Sequence, residues 1–92
     1  MNLKLIPYRN KGILFRREKD KTVLLDELSG SPYYLENTGS YIWNIIDGKR
    51  NLKDILNELT QRFDSDEKVI KTDLIEFITE LLENQIITVK KK

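Results

Sequence analysis

The sequence contains no cysteine and no histidine among its 92 residues. The absence of cysteine excludes disulfide bonds and thiolate chemistry, and the absence of histidine removes the commonest general base and metal ligand. Basic and acidic residues number 16 and 15, so the net charge of +1 predicts neither a nucleic-acid nor a membrane partner. No apolar run approaches the roughly 20 residues that span a bilayer. We therefore expect a cytoplasmic protein without a metal or cofactor.

The N-terminal part of the chain predicts a small sheet. A chain of this length has room for one domain, residues 1–92, with a modest core. Three segments rich in strand formers are separated by short polar or glycine-containing turns, which favours an antiparallel three-stranded meander. The predicted strands span residues 12–17, 22–26 and 31–35, and a β-branched segment at residues 85–89 predicts a short C-terminal strand.

The middle and C-terminal parts of the chain show the spacing of amphipathic helices. Asn37, Asn51 and Ser65 are predicted N-caps, because their short side chains can accept hydrogen bonds from free amides in the first helical turn. Asp54 follows Asn51 at the spacing of a capping box, and Gly48 is expected to end the first helix. The three predicted helices span residues 38–47, 52–63 and 66–84.

The third predicted helix carries a wider apolar arc than packing on one core requires. The stripe expected to face the core consists of Ile70, Leu74, Phe77 and Leu81. A second apolar stripe lies beside it, and either the rest of the domain or a bound partner has to cover it. This second stripe and its flanking lysines consist of Ile75, Ile78, Leu82, Lys68 and Lys71.

The last strand of the predicted meander has the features of a free sheet edge. Pro32 has no amide hydrogen and cannot serve in a central strand, although it can equally serve only to blunt an edge against aggregation. The rest of this strand is uncharged, so it lacks the charges that usually keep other strands away. Such an edge can accept an extended peptide or a second copy of the chain. The strand residues predicted to bind a peptide are Ser31, Pro32, Tyr33, Tyr34 and Leu35.

A series of landmarks in fixed order extends along nearly the whole chain. They are Pro7, Arg16, Val23-Leu24-Leu25, Leu35, Thr38, Ile42-Trp43, Asp47-Gly48, Ile55, Leu59, Phe63, Asp73, Phe77, Leu81 and Ile86-Ile87. In this order and spacing the chain resembles the PqqD family, the coenzyme PQQ synthesis protein D group of precursor-peptide recognition elements. It differs from the family at Glu36, Gly39 and Asn84-Gln85, where the family often has Asn, Ala and Gly.

The resemblance implies a winged-helix-like α+β fold, in which an N-terminal three-stranded antiparallel sheet precedes three helices and a short C-terminal strand. It also implies that a leader peptide adds as a strand beside residues 31–35 and packs against the third helix. We expect Ile75, Ile78 and Leu82 to form this groove, and Lys68 and Lys71 to favour acidic leader residues. Family members are expected to present the bound precursor to a radical SAM maturase or a leader peptidase, without catalysis of their own.

Two other classes of function are compatible with parts of the pattern. A winged-helix DNA-binding protein shares the order of elements, but the polar side chains of the second helix alternate with acidic ones, and the third helix is mainly acidic outside its apolar face. A small enzyme could draw on the aspartates, but their positions suit helix caps and helix ends better. We therefore predict neither catalysis nor a metal site.

Overall fold

The computed structural model describes residues 1–91, which form five strands and three helices. This arrangement confirms the predicted α+β fold class. Within these residues, no helix combines the length and the apolar character needed to cross a lipid bilayer. The strands are β1 (Ile6–Arg9), β2 (Ile13–Glu18), β3 (Lys21–Asp26), β4 (Pro32–Glu36) and β5 (Ile87–Lys90), and the helices are α1 (Thr38–Ile45), α2 (Leu52–Arg62) and α3 (Glu67–Glu83).

The strands form two antiparallel sheets. β2, β3 and β4 form the predicted meander with β3 in the centre, where Leu24 lies opposite Phe15 of β2 and Tyr33 of β4. β1 pairs with β5 in a second sheet, with Ile6 opposite Lys90. β1 is absent from the sequence prediction because its partner lies at the other end of the chain, so no local turn signal connects the two strands.

One apolar cluster holds the sheet and the helices together. It contains Leu24 and Leu35 from the inner face of the meander together with the apolar stripes of the three helices. Trp43 of α1 is fully buried, and its ring meets the Phe15 ring edge to face with 5.6 Å between centroids. The Arg9 guanidinium carbon lies 4.6 Å from the centre of the Phe15 ring and 4.7 Å from that of Trp43, so β1 packs against both.

The N-cap residues of α1 and α2 are the predicted ones, and that of α3 differs. Asn51 caps α2 as predicted, because its Oδ1 accepts from the Asp54 amide at 2.8 Å while the Asp54 carboxylate accepts from the Asn51 amide at 3.0 Å. Asn37 precedes α1, but at φ 50° its side chain makes no cap hydrogen bond. The cap of α3 is Asp66 and not Ser65. A carboxylate there also interacts favourably with the positive end of the helix dipole.

α1 ends at Ile45, two residues before its predicted end. The Asp47 carboxylate accepts from the amides of Lys49 and Arg50, both at 2.9 Å. These hydrogen bonds stabilise a turn that competes with continuation of the helix. Gly48, at φ 76°, therefore lies inside the connecting turn and not at the helix end.

α3 ends in a Schellman motif. The Ile86 amide donates to the Leu81 carbonyl at 2.9 Å, and the Gln85 amide donates to the Leu82 carbonyl at 3.0 Å. Gln85 has φ 60°, in the left-handed region that glycine adopts without cost. This geometry explains why a glycine suits the end of this helix.

Candidate functional site

β4 is an outer strand of the meander and, among the described residues, pairs only with β3, which confirms the predicted free edge. The hydrogen bonds at the two ends of this pair show which way its backbone groups point. The Asp26 amide donates to the Ser31 carbonyl at 3.3 Å, and the Asn37 amide donates to the Asp20 carbonyl at 2.9 Å. Ser31 and Asn37, at the two ends of β4, therefore both turn their backbone toward β3.

Hydrogen bonds in an antiparallel pair alternate, so every second residue of an outer strand turns its N–H and C=O away from the partner strand. Between Ser31 and Asn37, the residues that turn away from β3 are Pro32, Tyr34 and Glu36. Pro32 has no N–H. The free edge therefore offers two N–H donors, those of Tyr34 and Glu36, and three carbonyl acceptors.

The side chains of β4 alternate between the two faces of the sheet, as predicted. Leu35 is buried in the core, and Tyr33 packs against it on the same inner face. Tyr34 points outward and is 68% exposed. Of the two tyrosines, only Tyr33 belongs to the side of the strand that faces α3.

Three adjoining hollows form a groove along β4, α1 and α3, and the second of them is bordered by both β4 and α3. Pro32 and Tyr33 border the first and the second hollow, and Gly39 and Phe77 border the second and the third. The third hollow has a volume of about 270 Å³ and an apolar floor from α1 and α2. We call this feature the β4–α3 groove. Its α3 side consists of Val69, Ile70, Asp73, Leu74, Phe77, Glu80 and the following Asn84.

Gly39, in the first turn of α1, permits the close approach of α1 and α3 at the groove. A Cβ at this position would lie 3.2 Å from Cε1 of Phe77 and 3.9 Å from Cβ of Leu35. Glycine costs up to roughly 1 kcal/mol relative to alanine inside a helix. Here the missing Cβ leaves room for the Phe77 ring. The unfavourable glycine was the sequence signal that could have located this part of the groove.

The face of α3 that borders β4 differs from the predicted face. Ile78 is 0% exposed and belongs to the core, whereas Phe77 packs against the core as predicted and also lines the groove. The helical period identifies the residues that share a stripe, but it does not say which neighbour each stripe meets. Ile75 and Leu82 are half-buried and line none of the three hollows.

Lys68 and Lys71 lie on another flank of α3. They are exposed and border a separate hollow together with Leu3 and with Leu56 of α2. Lys68 and Lys71 are three positions apart and therefore lie on the same side of α3. This side meets α2 and the N-terminal segment. The two lysines are therefore not part of the β4–α3 groove.

Tyr33 and Glu80 connect the two sides of the groove. Burial, followed by the hydrogen bond and the negative charge of the Glu80 carboxylate, raises the pKa of Tyr33 to about 12. The Tyr33 hydroxyl is the donor of this hydrogen bond, and the Glu80 carboxylate is the acceptor. Within residues 1–91, no three His, Cys, Asp or Glu side chains are grouped as metal ligands.

The family model described as coenzyme PQQ synthesis protein D (PqqD) matches residues 21–87. The chain belongs to the PqqD family. The match includes β3, β4 and all three helices, so both sides of the β4–α3 groove lie within the family region. Among curated proteins, a search finds no match to this chain.

Two solved structures share this fold. The first is described as TbiB1 in complex with the TbiA(beta) leader peptide. It has a TM-score of 0.82 and 20% identity, and the match covers 87% of this chain and 93% of that chain. The second is described as lasso peptide synthetase B1 complexed with the leader peptide. Its TM-score is 0.81 at 22% identity, with coverage of 90% and 98%. Nothing in these comparisons favours the DNA-binding alternative.

Proposed function

We propose that this chain is a non-catalytic adaptor, a single peptide-binding domain that binds the leader segment of a ribosomally made precursor peptide by strand addition to β4. The free edge of β4 carries this proposal, because the N–H groups of Tyr34 and Glu36 point away from β3. Membership of the PqqD family supports it. The two similar structures, both described with a leader peptide, support it as well.

In the proposed complex, the peptide backbone exchanges hydrogen bonds with Tyr34 and Glu36 and extends the meander by one strand. Every second peptide side chain then points toward α3 and enters the groove beside Gly39 and Phe77. The backbone pairing sets the register, and the apolar hollows select the side chains. The predicted strand, Ser31 to Leu35, keeps its role in this proposal and gains Glu36.

The backbone hydrogen bonds alone do not supply the affinity that an adaptor needs. Each contributes about 0.5–1.5 kcal/mol net. A dissociation constant between micromolar and nanomolar corresponds to roughly 8 to 12 kcal/mol. Burial of peptide side chains in the groove, at about 25 cal/mol per Å² of apolar area, has to supply most of the difference.

The adaptor would present the bound precursor to a modifying enzyme, either a radical SAM maturase or a leader peptidase, in the cytoplasm where the precursor is made. Its own residues bind and orient the peptide, and the partner enzyme supplies the chemistry. A second copy of the chain is the competing occupant of the edge. A homodimer formed through β4 would block the peptide.

Backbone hydrogen exchange tests the strand addition directly. Random peptides are selected by mRNA display on the immobilised full chain, and the tightest binders are synthesised. Amide exchange is then followed residue by residue by NMR. We expect the amides of Tyr34 and Glu36 to gain protection on peptide binding, while those of Tyr33 and Leu35 are protected from the start by β3.

A matched pair of variants separates the backbone from the side chain. Tyr34→Pro removes the outward N–H and leaves the β3–β4 hydrogen bonds intact, because an outer strand tolerates proline on its free side. Tyr34→Ala removes only the exposed ring. By calorimetry we expect Tyr34→Pro to weaken binding about tenfold or more, the equivalent of one good hydrogen bond. Wild-type affinity in a folded Tyr34→Pro variant would contradict strand addition at β4.

A further inference from the structure

The charged side chains of the β4–α3 groove all have the same sign. Among residues 1–91, the residues that border the three hollows include four acidic ones and no lysine or arginine, although the Glu36 side chain itself lies on the outer face of β4 with that of Tyr34. The whole chain has 16 basic and 15 acidic residues, so composition does not account for this separation. The four carboxylates belong to Asp26, Glu36, Asp73 and Glu80.

Three of these carboxylates already have partners, and the partner of Glu80 is the Tyr33 hydroxyl. The Glu36 carboxylate lies 3.8 Å from the Lys21 ammonium group, and Asp26 accepts from the Leu28 amide at 2.9 Å. Asp73 and Glu80 form no ion pair within residues 1–91. No basic residue lies three or four positions from either of them along α3, whereas Glu76 lies at that spacing from both. Their negative charge is therefore uncompensated within the helix.

Aromatic rings lie beside this charge. Tyr33 and Phe77 border the same hollow as Glu80, and Phe77 borders the hollow of Asp73 as well. An arginine or lysine can pack its alkyl stem on such rings and place its charged head against a carboxylate. An acidic side chain at the same place would meet like charges. The arrangement is therefore complementary to a cationic, partly apolar segment.

On the basis of the proposed function, we infer that the β4–α3 groove selects leader segments that carry lysine or arginine next to their apolar anchor residues. The basic side chains pair with Asp73 and Glu80, and the apolar anchors fill the hollow beside Phe77. Lys68 and Lys71 predicted a preference for acidic leader residues. These lysines lie on the flank of α3 that meets α2, and the carboxylates of the groove favour basic residues instead. Asp73 and Glu80 are then specificity determinants of the adaptor.

The test compares mRNA-display selections on the wild-type chain and on the double variant Asp73→Asn/Glu80→Gln. Both substitutions keep the shape of the side chain, and the amide oxygen that Glu80→Gln introduces would still accept the Tyr33 hydroxyl hydrogen. We expect lysine and arginine to be enriched only on the wild type. Two exposed ion pairs at about 0.2–1 kcal/mol each predict an approximately twofold to thirtyfold affinity loss when the variant binds a wild-type-selected peptide.

The control variant is Lys68→Gln/Lys71→Gln, which removes two charges on the other flank and should leave the affinity unchanged. Raising the salt concentration should weaken wild-type binding and have less effect on the double variant. Peptides that protect the Tyr34 and Glu36 amides without basic enrichment, and that bind the double variant equally well, would overturn the inference but not the proposed function. Failure of every selected peptide to protect these amides would overturn both.

Discussion

Phe77 and Ile78 are neighbours in α3 to which the structure assigns different roles. Ile78 is 0% exposed, whereas Phe77 is half-buried and borders the groove. Ile78→Ala removes a fully buried side chain and leaves a cavity, which costs about 2–5 kcal/mol of unfolding free energy. Complete burial of a phenylalanine is worth about 1.5–3 kcal/mol, so the half-buried Phe77 should cost on the order of 1 kcal/mol when replaced by alanine.

Thermal unfolding separates these two values. In a domain of this size, 1 kcal/mol shifts Tm by about 4–8 °C, so Ile78→Ala should lower Tm by roughly 10 °C or more and Phe77→Ala by about half that or less. Circular dichroism reports the helices, and fluorescence reports Trp43, which is fully buried. Ile78→Val, with an expected cost of about 0.5–1.5 kcal/mol, serves if the alanine variant does not fold.

For peptide affinity, we expect the substitution of Phe77 to have a larger effect than the substitution of Ile78. Phe77→Ala opens the apolar hollow and should weaken a selected peptide about tenfold, equivalent to about 1.4 kcal/mol. Ile78→Val, which does not touch the groove, should bind with wild-type affinity. Equal destabilisation by the two alanine substitutions, together with unchanged peptide affinity for Phe77→Ala, would refute the assignment of Phe77 to the groove.

Three further predictions concern stability. Gln85→Gly should raise the free energy of unfolding by about 0.5–1 kcal/mol, because Gln85 has φ 60° at the end of α3; an unchanged or lower Tm would contradict this. Asn51→Ala should lower it by about 1 kcal/mol in urea unfolding, since the Asp54 amide loses its cap; no change would contradict the capping role. The pKa of Tyr33 is about 12 in the folded chain but near 10 when unfolded. The unfolded chain therefore binds fewer protons between these values, and stability falls as the pH rises through them. Tyr33→Phe should remove that part of the fall in urea unfolding at alkaline pH, and an identical pH dependence in both proteins would contradict the raised pKa of Tyr33.

The local features of the fold were predictable from short stretches of sequence. Turn residues and strand formers located β2, β3 and β4, and the helical period located α1, α2 and α3 within a few residues. Pro32 correctly placed β4 at an edge, and Asn51 with Asp54 correctly predicted a capping box. These features depend on interactions within one turn or between adjacent strands, so the residues that cause them are close in sequence.

The candidate site was only half predictable. The uncharged edge predicted the strand side of the proposed groove, whereas the predicted α3 residues Ile75, Ile78 and Leu82 border none of its three hollows. Ile78 and Phe77 differ by about 100° around the helix, and both are apolar, so hydrophobicity does not distinguish a core position from a groove position. The glycine at position 39 indicates a close contact, but the sequence does not show that this contact is with Phe77.

By itself, the sequence determined the order and type of most elements, the free edge of β4 and the absence of cysteine and histidine chemistry. The tertiary structure decided which stripe of α3 faces β4, that β1 pairs with β5, and that the groove is lined by carboxylates and not by lysines. The physical reason is the range of the interactions. Capping, turns and periodicity act within a few residues, whereas the orientation of α3 over the sheet results from packing across the whole core.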